Sequence, residues 1–262
     1  MPEASVEFAL KDGVATITLA QAARGNPFDE KFCEDLNQIA TECSINPSVR
    51  AVLIQAQGRF FSVGGDLNAL TESRGGLARF VSVGTAKLHM AISRFARMNA
   101  PVVAAVHALA AGGAVALLAG ADFVLAAPEA SFYAAFTGIG ISCDTGGSYF
   151  LPRRVGTRRA ASFLMFNQMW TAQEALDAGL ATQIVSREDL EREALALAQR
   201  LAQGPTRAFG EIKNLLLSSS QESLEGQLEL EARAMARSAA TEDAWNALNA
   251  VKAKQKPTFA NS

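Results

Sequence analysis

Histidine is scarce in this chain. Only His89 and His107 occur in 262 residues, which leaves little from which to build a zinc site or a serine–histidine–aspartate triad. Cysteine is nearly as rare. Cys33, Cys43 and Cys143 are odd in number and widely spaced, a usage that fits reduced thiols in a cytosol rather than a disulfide framework. An excess of one charge is also missing: 24 lysines and arginines face 26 acidic residues, for a net charge of -2. With no basic tract, nucleic acid is a poor partner. No run reaches the roughly 18 uninterrupted apolar residues that span a bilayer. The opening Met1-Pro-Glu-Ala-Ser5 is acidic and has no apolar centre, so it does not read as a secretion signal. A cytoplasmic protein without membrane contact is expected. What is present is a 49% apolar, 19% charged composition, which suits one large globular domain, or one domain with a smaller appendage.

The chain opens with two alternating runs, 6–10 and 14–19, around the turn Lys11-Asp-Gly13, a hairpin signal. Residues 29–43 carry Phe32, Leu36, Ile39 and Ala40 at helical spacing, and 50–55 is a short buried strand. After the glycine-bearing loop Gly58 to Leu67 comes a longer helical stretch, 77–97. Residues 101–106 are short and valine-rich, which suits a strand buried on both faces. Another strand is expected at 121–126, then a segment without helical period at 131–148, then helices at 148–155 and 158–166. Thr171 with Glu174 forms a capping box, Gly179 ends that helix, and 183–185 is a short strand. Helices follow at 189–201, 206–217, 222–238 and 241–253. The order predicts an α/β core over residues 1–200 and a C-terminal helical region over 201–262.

Gly112 and Gly113 let the backbone turn between the 101–106 strand and a small-residue helix. Such a junction presents N–H groups at the positive end of the helix dipole, a place for a ligand oxygen carrying negative charge. It is also an ordinary strand–helix junction packed with glycine. The loop around Gly64 and Gly65 stands in the same position after its own strand. There the side chain of Asp66 reads first as a cap on a helix starting near Leu67.

The blocks Phe61-Ser-Val-Gly-Gly-Asp-Leu67, Ala111-Gly-Gly-Ala114, Ala121-Asp-Phe-Val-Leu-Ala126 and Gly138 through Gly156, in this order and spacing, resemble the crotonase (enoyl-CoA hydratase/isomerase) superfamily over nearly the whole chain. The resemblance implies stacked ββα turns of the ClpP/crotonase type, with the helical tail packed at a trimer interface. It implies an acyl-CoA substrate whose thioester oxygen is held by the N–H groups of Gly65 and Gly113. It further implies substrate contacts at Arg24, Ser62, Val63, Gly64, Asp66, Leu67 and Phe136, Arg24 being favoured over Lys87 and Arg153 for the CoA phosphates. A homotrimer or hexamer is implied as well.

The departures bear on the reaction. Family hydratases carry two glutamates where this chain has Ala116 and Phe136. Water addition uses both acids, so a hydratase is disfavoured. Asp144 remains, in a block that looks most like the ring-1,2-epoxyphenylacetyl-CoA isomerases of phenylacetate degradation, with Δ3,Δ2-enoyl-CoA isomerases similar. Cys143 stands where proline often precedes that aspartate, and reads as a small apolar filler. The reading is an isomerase with Asp144 as its one acid–base, in an apolar pocket near Phe132 and Phe136. Read locally, Asp144 could instead cap a helix starting near Gly146, and His107 is a structural histidine. The alternatives are an aspartate nucleophile of the dehalogenase type, a hydratase-like protein, or a degenerate acyl-CoA-binding protein. No metal or redox cofactor is implied: there is no ligand cluster, and Gly138-Ile-Gly140 lacks the third glycine of a dinucleotide loop. CoA enters as part of the substrate.

Overall fold

The computed structural model describes residues 4–72 and 74–261. Met1, Pro2 and Glu3 of the N-terminal reading lie outside them. The chain begins with β1 (Val6–Lys11) and β2 (Val14–Leu19), then α1 (Glu30–Ile45), β3 (Ala51–Ala56), α2 (Leu67–Thr71) and α3 (Leu77–Arg97). Next come β4 (Val102–Val106), β5 (Ala110–Ala111), α4 (Gly113–Gly120), β6 (Phe123–Ala126) and β7 (Ser131–Tyr133). The chain continues with α5 (Gly147–Val155), α6 (Thr157–Met165), β8 (Met169–Thr171), α7 (Ala172–Ala178) and β9 (Gln183–Ile184). It ends in α8 (Leu190–Ala202), α9 (Thr206–Ser218), α10 (Leu224–Ala239) and α11 (Glu242–Lys252). Among the described residues, no helix is long and apolar enough to cross a membrane.

The main sheet has the order β1-β2-β3-β4-β6-β9. The β1–β2 hairpin is antiparallel, with Val6 opposite Leu19, and every later pair is parallel. Parallel strands need cover on both faces, and alternate side chains provide it here. Ile17, Ile54, Ala104 and Val124 join the core under α1, α3 and α4, whereas Leu53, Val103 and Leu125 pack against Leu190, Ala194 and Ala198 of α8. The expected two-sided burial of 101–106 is therefore what the fold uses.

Local signals placed most helices. Asp29 accepts a hydrogen bond from the Phe32 N–H and starts α1, and Thr171 and Glu174 form both halves of the capping box on α7. A small second sheet, β5-β7-β8, falls partly in the segment read as aperiodic. Its strands have two or three residues, too few to display alternation.

The C-terminal helices are tied to the core by one buried cation. Lys213 of α9 donates to the carbonyls of Phe95 and Ala100 at 2.9 and 3.0 Å and pairs with Asp122 at 2.8 Å. Burial pushes its pKa down, and Asp122 opposes that shift. Asp122 also accepts the Val102 N–H, where β4 begins. Replacing Asp122 with asparagine leaves a buried ammonium without its counter-charge. Urea unfolding of Asp122→Asn should show a loss of about 3 kcal/mol, whereas loss of a surface pair such as Arg192–Glu193 should cost under about 1 kcal/mol.

Candidate active site

Two glycine turns meet at the ends of β3 and β4. The first is held from below by Asn26, whose side-chain amide donates to the carbonyls of Gln57, Phe60 and Phe61 at 2.9 to 3.1 Å. Ser62 is fully buried; its hydroxyl donates to the Asn26 carbonyl at 2.7 Å and accepts the Gly64 N–H at 3.0 Å. The Phe28 N–H then reaches the Gly64 carbonyl at 2.7 Å. The second turn is held by β7, where the Tyr133 carbonyl accepts the Gly112 N–H at 2.9 Å.

Only glycine fits where the turns touch. Gly64 has φ 82°, and a Cβ there would lie 2.7 Å from the carbonyl oxygen of Ala111. Gly112, at φ 55° and ψ -121°, opens α4 without a side-chain cap. As a result the N–H groups of Gly65 and Gly113 have no acceptor among the described residues, and both glycines border one cavity of about 440 Å³.

One face of α3 closes that cavity, with Val81, Gly84, Thr85 and Leu88 at helical spacing; Phe136, Ile139 and Ile141 lie across from it. Cys33 also borders it, but burial pushes its thiol up to about 12, so it supplies no thiolate. Two further carboxylates at the rim are paired, Asp29 with Arg24 and Glu30 with Lys87.

Asp144 lines the same cavity. Its side chain does not cap α5, which begins at Gly147 with no side-chain cap. Instead its Oδ1 meets Nε2 of His89 at 2.5 Å. The sequence did not pair Asp144 with an imidazole. The cavity it borders is lined mostly by apolar residues, Phe136 among them, as expected, but its side chain keeps 31% exposure, and Phe132 is buried in the core instead. His89 and Asp144 also border a second cavity of about 400 Å³, with Ser93, Arg97 and Cys143 in its wall. The sequence offered His89 and His107 as the only histidines to serve an aspartate nucleophile, but could not place His89 against Asp144, 55 residues away, on a helix whose exposed positions give no signal of a partner.

Of the residues singled out in the sequence, Val63, Gly64, Gly65, Leu67, Gly113, Phe136 and Asp144 come together around the cavity. Ser62, Asp66 and Arg24 do not line it. Ser62 holds the turn, and Asp66 accepts the Asn68 N–H at the start of α2, as a cap should. Arg24 forms a clasp, donating to Gln21 and Asp29 at 2.6 Å and also pairing with Asp66. No glutamate stands at Ala116, which is buried in α4, or at Phe136. His107 lies outside the cavity, its Nε2 2.9 Å from the Gly58 carbonyl and its own carbonyl receiving Arg187. Among the described residues, no three His, Cys, Asp or Glu side chains gather as a metal site. Two free donors, and a carboxylate that no lysine or arginine pairs with, on a single cavity can hold an oxygen that gains negative charge and move a proton beside it.

Residues 9–262 match the family model described as enoyl-CoA hydratase/isomerase. The 1,2-epoxyphenylacetyl-CoA isomerase of Escherichia coli K12 is 31% identical, covering 95% of this chain and 96% of its own. The 4-chlorobenzoyl coenzyme A dehalogenase-2 of an Arthrobacter species is 29% identical over 84% of this chain and 80% of its own. The crystal structure of an enoyl-CoA hydratase from Polaromonas sp. JS666 superposes with a TM-score of 0.90 at 28% identity, covering 96% of this chain and 98% of that one. The fold is thus the crotonase fold expected from the sequence.

Gly64→Ala should lose at least about 2 kcal/mol in thermal unfolding, because a left-handed alanine would also press on the Ala111 carbonyl. His107 has its pKa lowered, first by burial. Its folded value lies below its unfolded value of about 6.5. Its contribution is therefore complete above about pH 6.5 and fades as pH falls through the lowered value. A stability–pH profile should show this acid slope in the native chain and a shallower one in His107→Gln.

Proposed function

Because this chain belongs to the enoyl-CoA hydratase/isomerase family and so processes acyl-CoA thioesters, we propose that it is an acyl-CoA isomerase working through Asp144 and a backbone oxyanion hole. The Gly65 and Gly113 N–H groups receive the thioester oxygen. Asp144 takes a proton from one carbon of the acyl group and returns it to another, while the charge rests on the held oxygen as an enolate. The observation that carries this reading is that Asp144, the one cavity carboxylate not paired with a lysine or arginine, shares that cavity with two unpaired N–H groups. The absence of any acid at Ala116 and Phe136 argues against water addition. His89 holds the carboxylate in position and exchanges its proton.

The substrate is an unsaturated acyl-CoA or a ring epoxide derived from phenylacetate. The aromatic side chains of Phe28, Phe80, Tyr133 and Phe136 around the cavity support a ring-bearing acyl group. Val63, Leu67 and Phe136 contact the acyl part, and Arg24 orders the entrance through its clasp. CoA belongs to the substrate, and no metal or redox group is assigned. Residues 201–262 serve as the trimerisation region, a role that the exposed Leu224, Leu228, Met235, Trp245 and Leu248 support.

A second reading is favoured by the contact between His89 and Asp144. Asp144 would attack an electrophilic carbon of the acyl group, expelling its leaving group and forming an aspartyl ester. His89 would then take a proton from water as that water attacks the ester carbonyl, freeing the product alcohol. The second cavity, which reaches both residues, supplies a route for the water.

Purified protein given a 3-enoyl-CoA in deuterated water should move the double bond and form no 3-hydroxyacyl-CoA. Asp144→Asn should lower that rate by on the order of 100-fold or more. Substantial 3-hydroxyacyl-CoA from a 2-enoyl-CoA would sink the isomerase reading in favour of hydration. Solvent oxygen-18 found in Asp144 after one turnover would establish the ester instead.

A further inference from the structure

Thr145 follows the catalytic aspartate and holds two unfavourable features at once. Its φ is 58°, a left-handed conformation that β-branched residues rarely adopt. It is also 1% exposed, yet its hydroxyl makes no hydrogen bond among the described residues. The hydroxyl oxygen is not one of the buried side-chain atoms left without a partner; it opens on the cavity that Thr145 borders. Glycine would fill this backbone position without strain, so neither the conformation nor the burial explains a threonine.

Its surroundings do. Thr145 borders the same cavity as Gly65, Gly113 and Asp144. Its Oγ1 stands 2.9 Å from the point a Cβ on Gly113 would occupy, so the hydroxyl lies close to the residue that carries one of the two free N–H donors. Helices α4 and α5 both begin here, and neither has a side-chain cap. Their first N–H groups add positive potential where a hydroxyl hydrogen would also point. A strained residue whose unpaired hydroxyl opens on the cavity near Gly113 is placed to donate to an oxygen held there.

We propose that Thr145 is a catalytic residue whose hydroxyl gives a third hydrogen bond to the thioester oxygen, beside the Gly113 N–H. The proposal rests on the acyl-CoA reading of the cavity, but not on which reaction Asp144 performs. The hydroxyl donates its hydrogen to an oxygen that becomes more negative as the enolate forms, and no covalent bond changes at Thr145.

The test reads enolate stabilisation directly. Acetoacetyl-CoA enolises readily, and its enolate is seen by ultraviolet difference absorbance on mixing with protein. The native chain and Thr145→Ser should both bind it and raise the enolate fraction. Thr145→Val, which keeps the shape and removes the hydroxyl, should bind on the order of 10-fold or more weakly and lose the enolate signal. Should Thr145→Val not fold, Thr145→Ala removes the same hydroxyl with less bulk, and its melting curve checks the fold. A hydroxyl-free variant matching the native chain would overturn the proposal, as would equal losses in the serine variant. If the native chain itself fails to bind acetoacetyl-CoA, the acyl-CoA reading of the cavity falls, and this proposal with it. A failure of the isomerase assay with this binding intact would leave the role of Thr145 standing.

Discussion

The approach of Gly64 to the carbonyl of Ala111 is the contact on which the rest of the site depends. No side chain fits between the two turns, so their backbones set each other's position. Asn26, Ser62 and Phe28 hold one turn, and the Tyr133 carbonyl holds the other. Because these supports are backbone and side-chain hydrogen bonds within the fold, the free donors at Gly65 and Gly113 are fixed before any ligand is present. Donors fixed in advance stabilise charge without the reorganisation that water would require.

Charge around the cavity is sorted by position. At the rim, carboxylates are matched by cations: Asp29 and Asp66 by Arg24, and Glu30 and Glu34 by Lys87. Asp144 stands apart from these networks and meets an imidazole rather than a permanent cation.

Much of the architecture was legible because its causes are local. The capping box at Thr171, the Asp66 cap and the doubly buried strand β4 each follow from a few neighbouring residues. The glycine pairs were legible as turns, but their meeting was not, since it joins segments from two different strand–helix units. The same limit hid the His89–Asp144 pair, which exists only because α3 crosses the cavity. Ser62 shows a different failure. The family resemblance implied substrate contact there, whereas its hydroxyl is occupied by the backbone it supports. The unexpected strands β5, β7 and β8 are too brief for any pattern and form because the turns and the core bring them side by side.

Helix α4 is buried from Gly113 to Ala119, with no outward face. A substitution there meets packed atoms in every direction, so its small residues have little freedom to diverge without loss of the fold. The segment 136–142 and the face of α3, by contrast, touch the cavity on one side and solvent on the other. Adaptation of this scaffold to a new acyl group is thereby channelled. The glycine turns stay fixed by their neighbours, and the wall made by α3 and 136–142 is free to drift.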